Sequence, residues 1–182
     1  MEEKDEFLIM EYLGGNQNSF KLLIDKYTPS IYNYTVRFVG VDQAFDITQD
    51  VFLKVWKNIK KFNKNKSSFK TWIFTITRNT VTDYLRKRKM ILFSSLDTEE
   101  EIFADTLEDQ ALVQDEELSK IEDVNLLNSL LEKIPNNYKE VLVLHYQEDM
   151  TFDEIGKLLG KPLNTVKSYH RRALSLLREM MK

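Results

Sequence analysis

The residues best equipped for chemistry lie near the C-terminal end of the chain. Asn164, Lys167, Ser168, Arg171 and Ser175 are spaced by one helical turn or less, with Arg172 on their flank, so a helix over them carries them on one face. Amides and hydroxyls set beside guanidinium and ammonium groups can hydrogen-bond base edges and phosphate oxygens. Leu163, Val166, Ala173, Leu174 and Leu177 recur at the same spacing on the other side and are expected to face a core. An amphipathic hairpin whose basic face is merely solvated has the same pattern.

The segment before this helix supplies its support. Thr151 and Glu154 have capping-box spacing, so each can satisfy a backbone N–H at a helix start. Ile155, Leu158 and Leu159 then share a face. Gly160 suits the left-handed residue that ends a helix, and Pro162 follows. Short helix, tight turn and second helix with a polar, basic face make the pattern of a helix-turn-helix that reads the DNA major groove.

Two further constellations stand out. Arg86, Lys87, Arg88 and Lys89 end a stretch in which Phe62, Lys64, Lys66, Phe69, Lys70, Trp72 and Arg78 alternate aromatic and cationic groups. Cations at a helix C-terminus complement the macrodipole; a positive groove with aromatic faces also suits single-stranded DNA. Most of these aromatics, Trp72 included, are expected in the core. Asp46, Gln49, Asp50 and Leu53 share one helical strip with Trp56 beside it. That strip is either a solvated helix face or a protein-docking surface, where an apolar anchor among carboxylates is common.

No catalytic grouping is present: the chain has no glycine-rich phosphate loop, paired-carboxylate signature or nucleophile–histidine set. With no cysteine and two histidines, disulfides and Cys- or His-rich metal sites are excluded, and no cofactor is expected. His145, within Leu142–Tyr146, reads as a structural histidine; His170, on the second helix, reads as a phosphate contact or a solvent-facing residue. No apolar run approaches the roughly 20 residues that span a bilayer, and the acidic N-terminus lacks a signal-peptide pattern, so a cytoplasmic protein is expected.

The net charge of −3 conceals a block structure. Residues 1–93 hold 16 Lys/Arg against 10 Asp/Glu, residues 94–123 hold 1 against 12, and residues 124–182 hold 9 against 7. Two basic-leaning modules therefore flank an acidic linker, and a polyanion can engage both modules but not the linker. Like-charge repulsion predicts an extended or loosely helical linker. Five glycines and three prolines, with few alternating runs, predict an all-α fold of two small helical domains over 1–93 and 124–182. In the first, helical stripes run through Phe20, Leu23, Ile24, Tyr27, Ile31, Tyr34 and Phe38, with a break near Pro29. Further stripes are Ile47, Val51, Val55, Ile59 and Phe62, then Phe69, Trp72, Ile73, Ile76, Tyr84 and Leu85 in a stretch ending at Lys89. In the second, Leu126, Leu127, Leu130, Leu131 and Ile134 precede Pro135, and Tyr138, Val141, Leu142 and Leu144 follow it, giving two helices that scaffold the helix-turn-helix.

Taken in order, these motifs resemble a family. Asp46–Trp56 followed by Phe69–Lys89 looks like region 2 of bacterial sigma factors; Ile134–Leu144 and the helix-turn-helix after it look like region 4. The two-module layout is that of the extracytoplasmic-function group. The resemblance implies a factor that binds core RNA polymerase and directs it to promoters, without a small-molecule substrate. On matching positions it implies that Asp46, Gln49, Asp50 and Leu53 dock the clamp helices of the largest polymerase subunit. Asn79, between the Trp72 helix and a basic helix, would capture an unstacked base of the −10 single strand, with Arg78 and Arg86, Lys87, Arg88 and Lys89 on the adjacent backbone. Asn164, Thr165, Lys167, Ser168, Arg171 and Arg172 would read the duplex −35 element. The linker would thread the RNA-exit path, and an anti-sigma factor is an implied partner. Asn164 and Tyr169 stand where many members have Gly and Arg; Asn at a helix cap would leave the fold intact. Two other readings remain open on the residues alone: a stand-alone regulator that binds an operator as a dimer, and a helical adaptor without DNA affinity.

Overall fold

The structure, a computed structural model, describes residues 2–95 and 126–181. The acidic linker expected over 94–123 therefore lies outside the described residues apart from Ser94 and Ser95, which close a helix. Every regular element among the described residues is helical.

Helix α1 (Glu2–Leu13) precedes the first element expected from periodicity. Its start is a run of charges, but Leu8 and Ile9 are buried, and its polar residues are tied to α2 (Gln17–Val39). The buried Asp5 carboxylate accepts from Tyr27 Oη at 2.6 Å and from Lys26 Nζ, and Glu11 accepts from Ser19 Oγ at 2.7 Å. Helix α2 starts at Asn16, whose side chain accepts from the Asn18 N–H. It does not break at Pro29, contrary to expectation. Pro29 lies on the exposed face, so the ladder bond it deletes costs nothing in the core, and Leu23, Tyr27, Ile31 and Tyr34 stay buried in one stripe. Gly40 (φ 85°) then turns the chain within one residue into α3 (Val41–Asn58).

Helix α3 places Ile47, Val51 and Val55 inward and passes through a 3₁₀ turn (Ile59–Lys61) into the loop before α4 (Phe69–Ser95). Helix α4 is one uninterrupted helix. Phe69, Ile73, Phe74 and Val81 are buried, while Trp72, Ile76, Tyr84 and Leu85 pack partly buried at the margin. Phe74, Thr77 and Val81 belong to the inner face, and the earlier spacing missed them. Five β-branched threonines within α4 lower its intrinsic propensity. Thr75, Thr77 and Thr80 return their hydroxyls to the carbonyls of Thr71, Ile73 and Ile76 at 2.7–2.9 Å, so those near or in the core carry no unsatisfied donor.

The second module contains α5 (126–133), α6 (Asn136–Leu142), a π-helical turn (Val143–Gln147), α7 (Phe152–Leu159) and α8 (Leu163–Met180). Leu130, Leu131, Ile134, Leu142, Ala173 and Leu177 form its own small core; Leu126 and Leu127, expected to face inward, are exposed. Val141, Val143, Leu144, Met150, Ile155, Leu158 and Val166 instead join the cluster of the first module, and α7 packs on α4. The two modules thus share one continuous core, each buried aliphatic contributing about 1.5–3 kcal/mol.

The helix-turn-helix forms as its caps dictate. Thr151 and Glu154 make both bonds of the capping box, and Gly160 ends α7 in the left-handed region at φ 62°. Pro162 caps α8, so Asn164 lies within the first turn and makes no cap, correcting the role given to it; Leu163, expected inward, is exposed. Gly156 is the tightest position. A Cβ there would meet the Lys161 carbonyl oxygen at 2.9 Å, and that same turn is closed by the Lys161 N–H on Gly156 O. Beneath α8, His145 Nδ1 bonds Met150 O at 2.9 Å and its ring stacks on Phe152, while His170 Nε2 bonds Tyr146 Oη at 3.0 Å. His170 is therefore held at the margin of an aromatic cluster and keeps partial exposure.

Replacing Gly156 by Ala is expected to destabilise the chain by about 1–3 kcal/mol, because the obstacle is backbone and cannot move aside; urea unfolding of the two proteins measures it. Burial, and then His145, hold the His170 imidazole below its ordinary value. The unfolded chain thus binds that proton more readily, and the stabilisation is complete above the unfolded pKa and lost as pH falls through the folded one. Melting temperature should fall between about pH 7.5 and pH 5.5, and His170→Phe should flatten part of that slope.

Candidate nucleic-acid interface and protein-docking surface

The exposed strip on α3 coexists with an apolar groove that spacing alone had not revealed. Asp46, Gln49, Asp50 and Leu53 are all exposed, as is Trp56, with Leu53 and Trp56 each at 52%. Beside them Phe20, Ile24 and Tyr32 of α2 and Phe45, Phe52 and Trp56 of α3 line a groove of about 460 Å³. The groove exists because α3 is apolar on more than one side: Ile47, Val51 and Val55 fill the core, and Phe45, Phe52, Leu53 and Trp56 are left over. Phe45, at 62% exposure, is one turn from Gln49 and was legible as part of the stripe. An uncovered apolar groove edged by carboxylates is the composition of a protein interface, with aromatic anchors at its centre.

The basic tetrad sits elsewhere on α4 than a helix end. Arg86, Lys87, Arg88 and Lys89 are exposed, and α4 continues six residues past Lys89 to Ser95. The macrodipole acts within the last turn, so it does not account for four cations there. Asn79 is not at a junction between two helices, as expected, but on the exposed surface inside α4, one strip with Asp83, Arg86 and Lys89. Arg86 is paired with Asp83 at 3.0 Å, both well exposed, a contact worth little in water. Arg78 departs from that strip. It is half-buried, and its Nε bonds Glu140 of the second module at 2.8 Å.

The aromatics upstream divide as their burial dictates. Phe69 is core, and Phe62 and Trp72 lean on it and on each other with centroids 5.5–5.6 Å apart. Phe62 and Trp72 keep partial exposure, next to the Asn63–Ser68 loop that carries Lys64 and Lys66.

On α8 the polar face is intact. Asn164, Lys167, Arg171 and Arg172 are exposed, and Thr165 and Ser168 partly so, while Val166, Ala173 and Leu177 anchor the opposite face. The structure brings these six residues together on the first half of the helix, a different helix from the α4 cations. Nothing among the described residues groups three or more His, Asp or Glu as a metal site, and none of their helices is long and apolar enough to cross a membrane.

Comparison with known proteins agrees with this layout. The Sigma-70 region 2 family matches residues 23–90 and the Sigma-70, region 4 family matches residues 125–177. The chain is 31% identical over 181 residues to the ECF RNA polymerase sigma factor SigW of Bacillus subtilis (strain 168), across 96% of this chain and 95% of that protein. Its fold is shared with CnrH, solved in complex with the cytosolic domain of CnrY, at a TM-score of 0.71 and 21% identity over 98% of this chain and 97% of that one. It is shared as well with the sigma factor RpoE of Bartonella quintana, solved with the anti-sigma factor NepR, at a TM-score of 0.70 and 23% identity over 89% and 96%. With both regions matched in order and a relative of that identity spanning nearly its whole length, the chain belongs to the sigma-70 family of RNA polymerase sigma factors, in the ECF subfamily.

Proposed function

We propose a division of labour among three surfaces for this sigma factor, which binds core RNA polymerase and directs the initiation of transcription at promoters. The α3 strip of Asp46, Gln49, Asp50 and Leu53, with Phe45 and Trp56 in the adjoining groove, docks the polymerase. Arg78, Asn79 and Arg86 to Lys89 on α4 hold the −10 strand, Asn79 receiving an unstacked base and the cations its backbone. Asn164, Thr165, Lys167, Ser168, Arg171 and Arg172 on α8 read the −35 duplex from the major groove. Residues 1–93 and 124–182 are the two working domains, with 94–123 as the linker that spans them on the polymerase.

One observation carries this reading. An acidic–apolar docking groove and two basic, polar faces occupy separate helices of one chain. A stand-alone operator-binding protein has no use for the α3 groove, and a passive adaptor has none for the α8 face. Extruding a base costs a few kcal/mol; a site on a rigid 27-residue helix is pre-organised to recover it. The same α3 groove is the surface an anti-sigma factor would cover, and the chain works by binding, in the cytoplasm, without a reaction of its own.

Transcription in vitro with purified chain, core RNA polymerase and fragmented DNA from the source genome tests it. Discrete chain-dependent transcripts are expected. Asp50→Arg should weaken binding to core polymerase at least tenfold, by placing like charge against a basic partner surface. Arg171→Ala should leave core binding intact and lower transcription from the selected promoters by about tenfold, the worth of one good base or phosphate contact. Transcripts that appear without the chain, or that neither substitution reduces, would overturn the reading.

A further inference from the structure

Leu163 opens α8 and is 40% exposed, whereas Val166 and Ala173, the next aliphatic residues of the helix, are fully buried. It stands one turn before Lys167 and two before Arg171, at the edge of the polar face that carries Asn164 and Ser168. A lone surface leucine is ordinary in a folded protein. This one differs in its place, because the N-terminal turn of a recognition helix is the part that meets base edges in the major groove. Long side chains on a helix lean toward its N-terminus, so Leu163 projects ahead of Lys167 at the leading end of α8.

The backbone beneath it is fixed. The Pro162 carbonyl accepts the N–H groups of Thr165 and Val166 at 2.9 and 3.2 Å, and the preceding turn is closed by the Lys161 N–H on Gly156 O at 2.9 Å. Leu163 shares a shallow depression of about 420 Å³ at this corner with Lys157 and Lys161. Both lysines are exposed, and Lys157 is paired with Asp153 at 2.8 Å. The corner therefore offers cations to phosphate oxygens and, beside them, an isobutyl group that can make no hydrogen bond. Among the four bases only thymine presents an apolar group, its C5 methyl, in the major groove.

We infer that Leu163 is a specificity-determining residue that selects a thymine in the −35 element by packing on its C5 methyl group. The inference rests on the assignment of α8 to the −35 duplex given above. Asn164, Lys167 and Arg171 can bond base edges and phosphate oxygens. Leu163 adds discrimination of another kind: it takes a methyl group out of water, and at a base that presents a polar group there it leaves that group unpaired. Thr165 also carries a methyl group and is partly exposed, so it is the rival reader of the same thymine.

Holoenzyme made from the full chain and core RNA polymerase first selects −35 elements from promoter DNA randomised at that place. Each thymine of the selected element is then replaced in turn by 2′-deoxyuridine, which removes the methyl group and keeps the pairing and the O4 acceptor, and holoenzyme affinity is read by competition. At one position the replacement should weaken binding about fourfold, the worth of one methyl-sized group taken from water. Leu163→Ala changes an exposed position to a better helix former, so the fold is kept, which circular dichroism checks. It should bind the thymine element less tightly and lose the deoxyuridine penalty, while Thr165→Ser should retain that penalty in full. A penalty absent at every thymine, or equal in Leu163→Ala and the unaltered chain, overturns the inference. So does a penalty that Thr165→Ser abolishes, or a selected element without thymine; in these cases loss of selection in Arg171→Ala still upholds the −35 assignment. If no element is selected, or Arg171→Ala selects it as well as the unaltered chain does, the assignment itself fails and takes the inference with it.

Discussion

Helix α4 is the constraint on which the rest of the structure depends. Over 27 residues it is about 40 Å long, and it packs on α1, α2, α3 and α7. Phe69, Ile73, Phe74 and Val81 lock its inner side into the core. A helix so held cannot rotate, so its remaining surface points in fixed directions: Lys70 and Arg78 toward the second module, Asn79 and Arg86 to solvent. Rigid display of polar groups from a packed helix is what DNA capture needs, since ordering entropy is met on folding and not again on binding.

The same helix couples the two modules. Isolated, the second module would be a small bundle, and below about 70 residues a single core rarely supplies much stability. Merging Val141, Leu144, Met150, Ile155 and Leu158 with the first module's cluster enlarges that core. The joint is edged by ion pairs and hydrogen bonds in place of further apolar packing. That composition resembles an interface between separable domains more than a permanent one, in keeping with parts that work on two DNA elements.

Much of this was readable from residue spacing. The capping box, the left-handed Gly160, the stripes of α2 and α3 and the polar face of α8 all follow from local rules, because caps, turns and helical periods involve residues within four or five positions of each other. Local rules failed where distant groups intervened. Helix α1 has a weak pattern and owes its place to Asp5 and Glu11 meeting α2. Pro29 reads as a break, yet α2 continues because that position faces solvent. Asn164 reads as a cap, yet Pro162 takes that position. The cations at 86–89 read as a helix end, yet the helix continues past them.

By itself, the sequence determined an all-helical chain in two basic-leaning modules, the family to which it belongs, and which residues are chemically fit to meet DNA or a protein partner. Periodicity, caps and charge blocks are properties of neighbouring residues, and a linear chain states them in full. Only the tertiary structure decided that Phe20, Ile24 and Tyr32 complete a groove with α3, that Arg78 faces Glu140 rather than open solvent, and that His170 is held by Tyr146. Each of those facts joins side chains up to 62 residues apart in the chain. Such pairings arise from how helices pack against each other, and no local spacing encodes that.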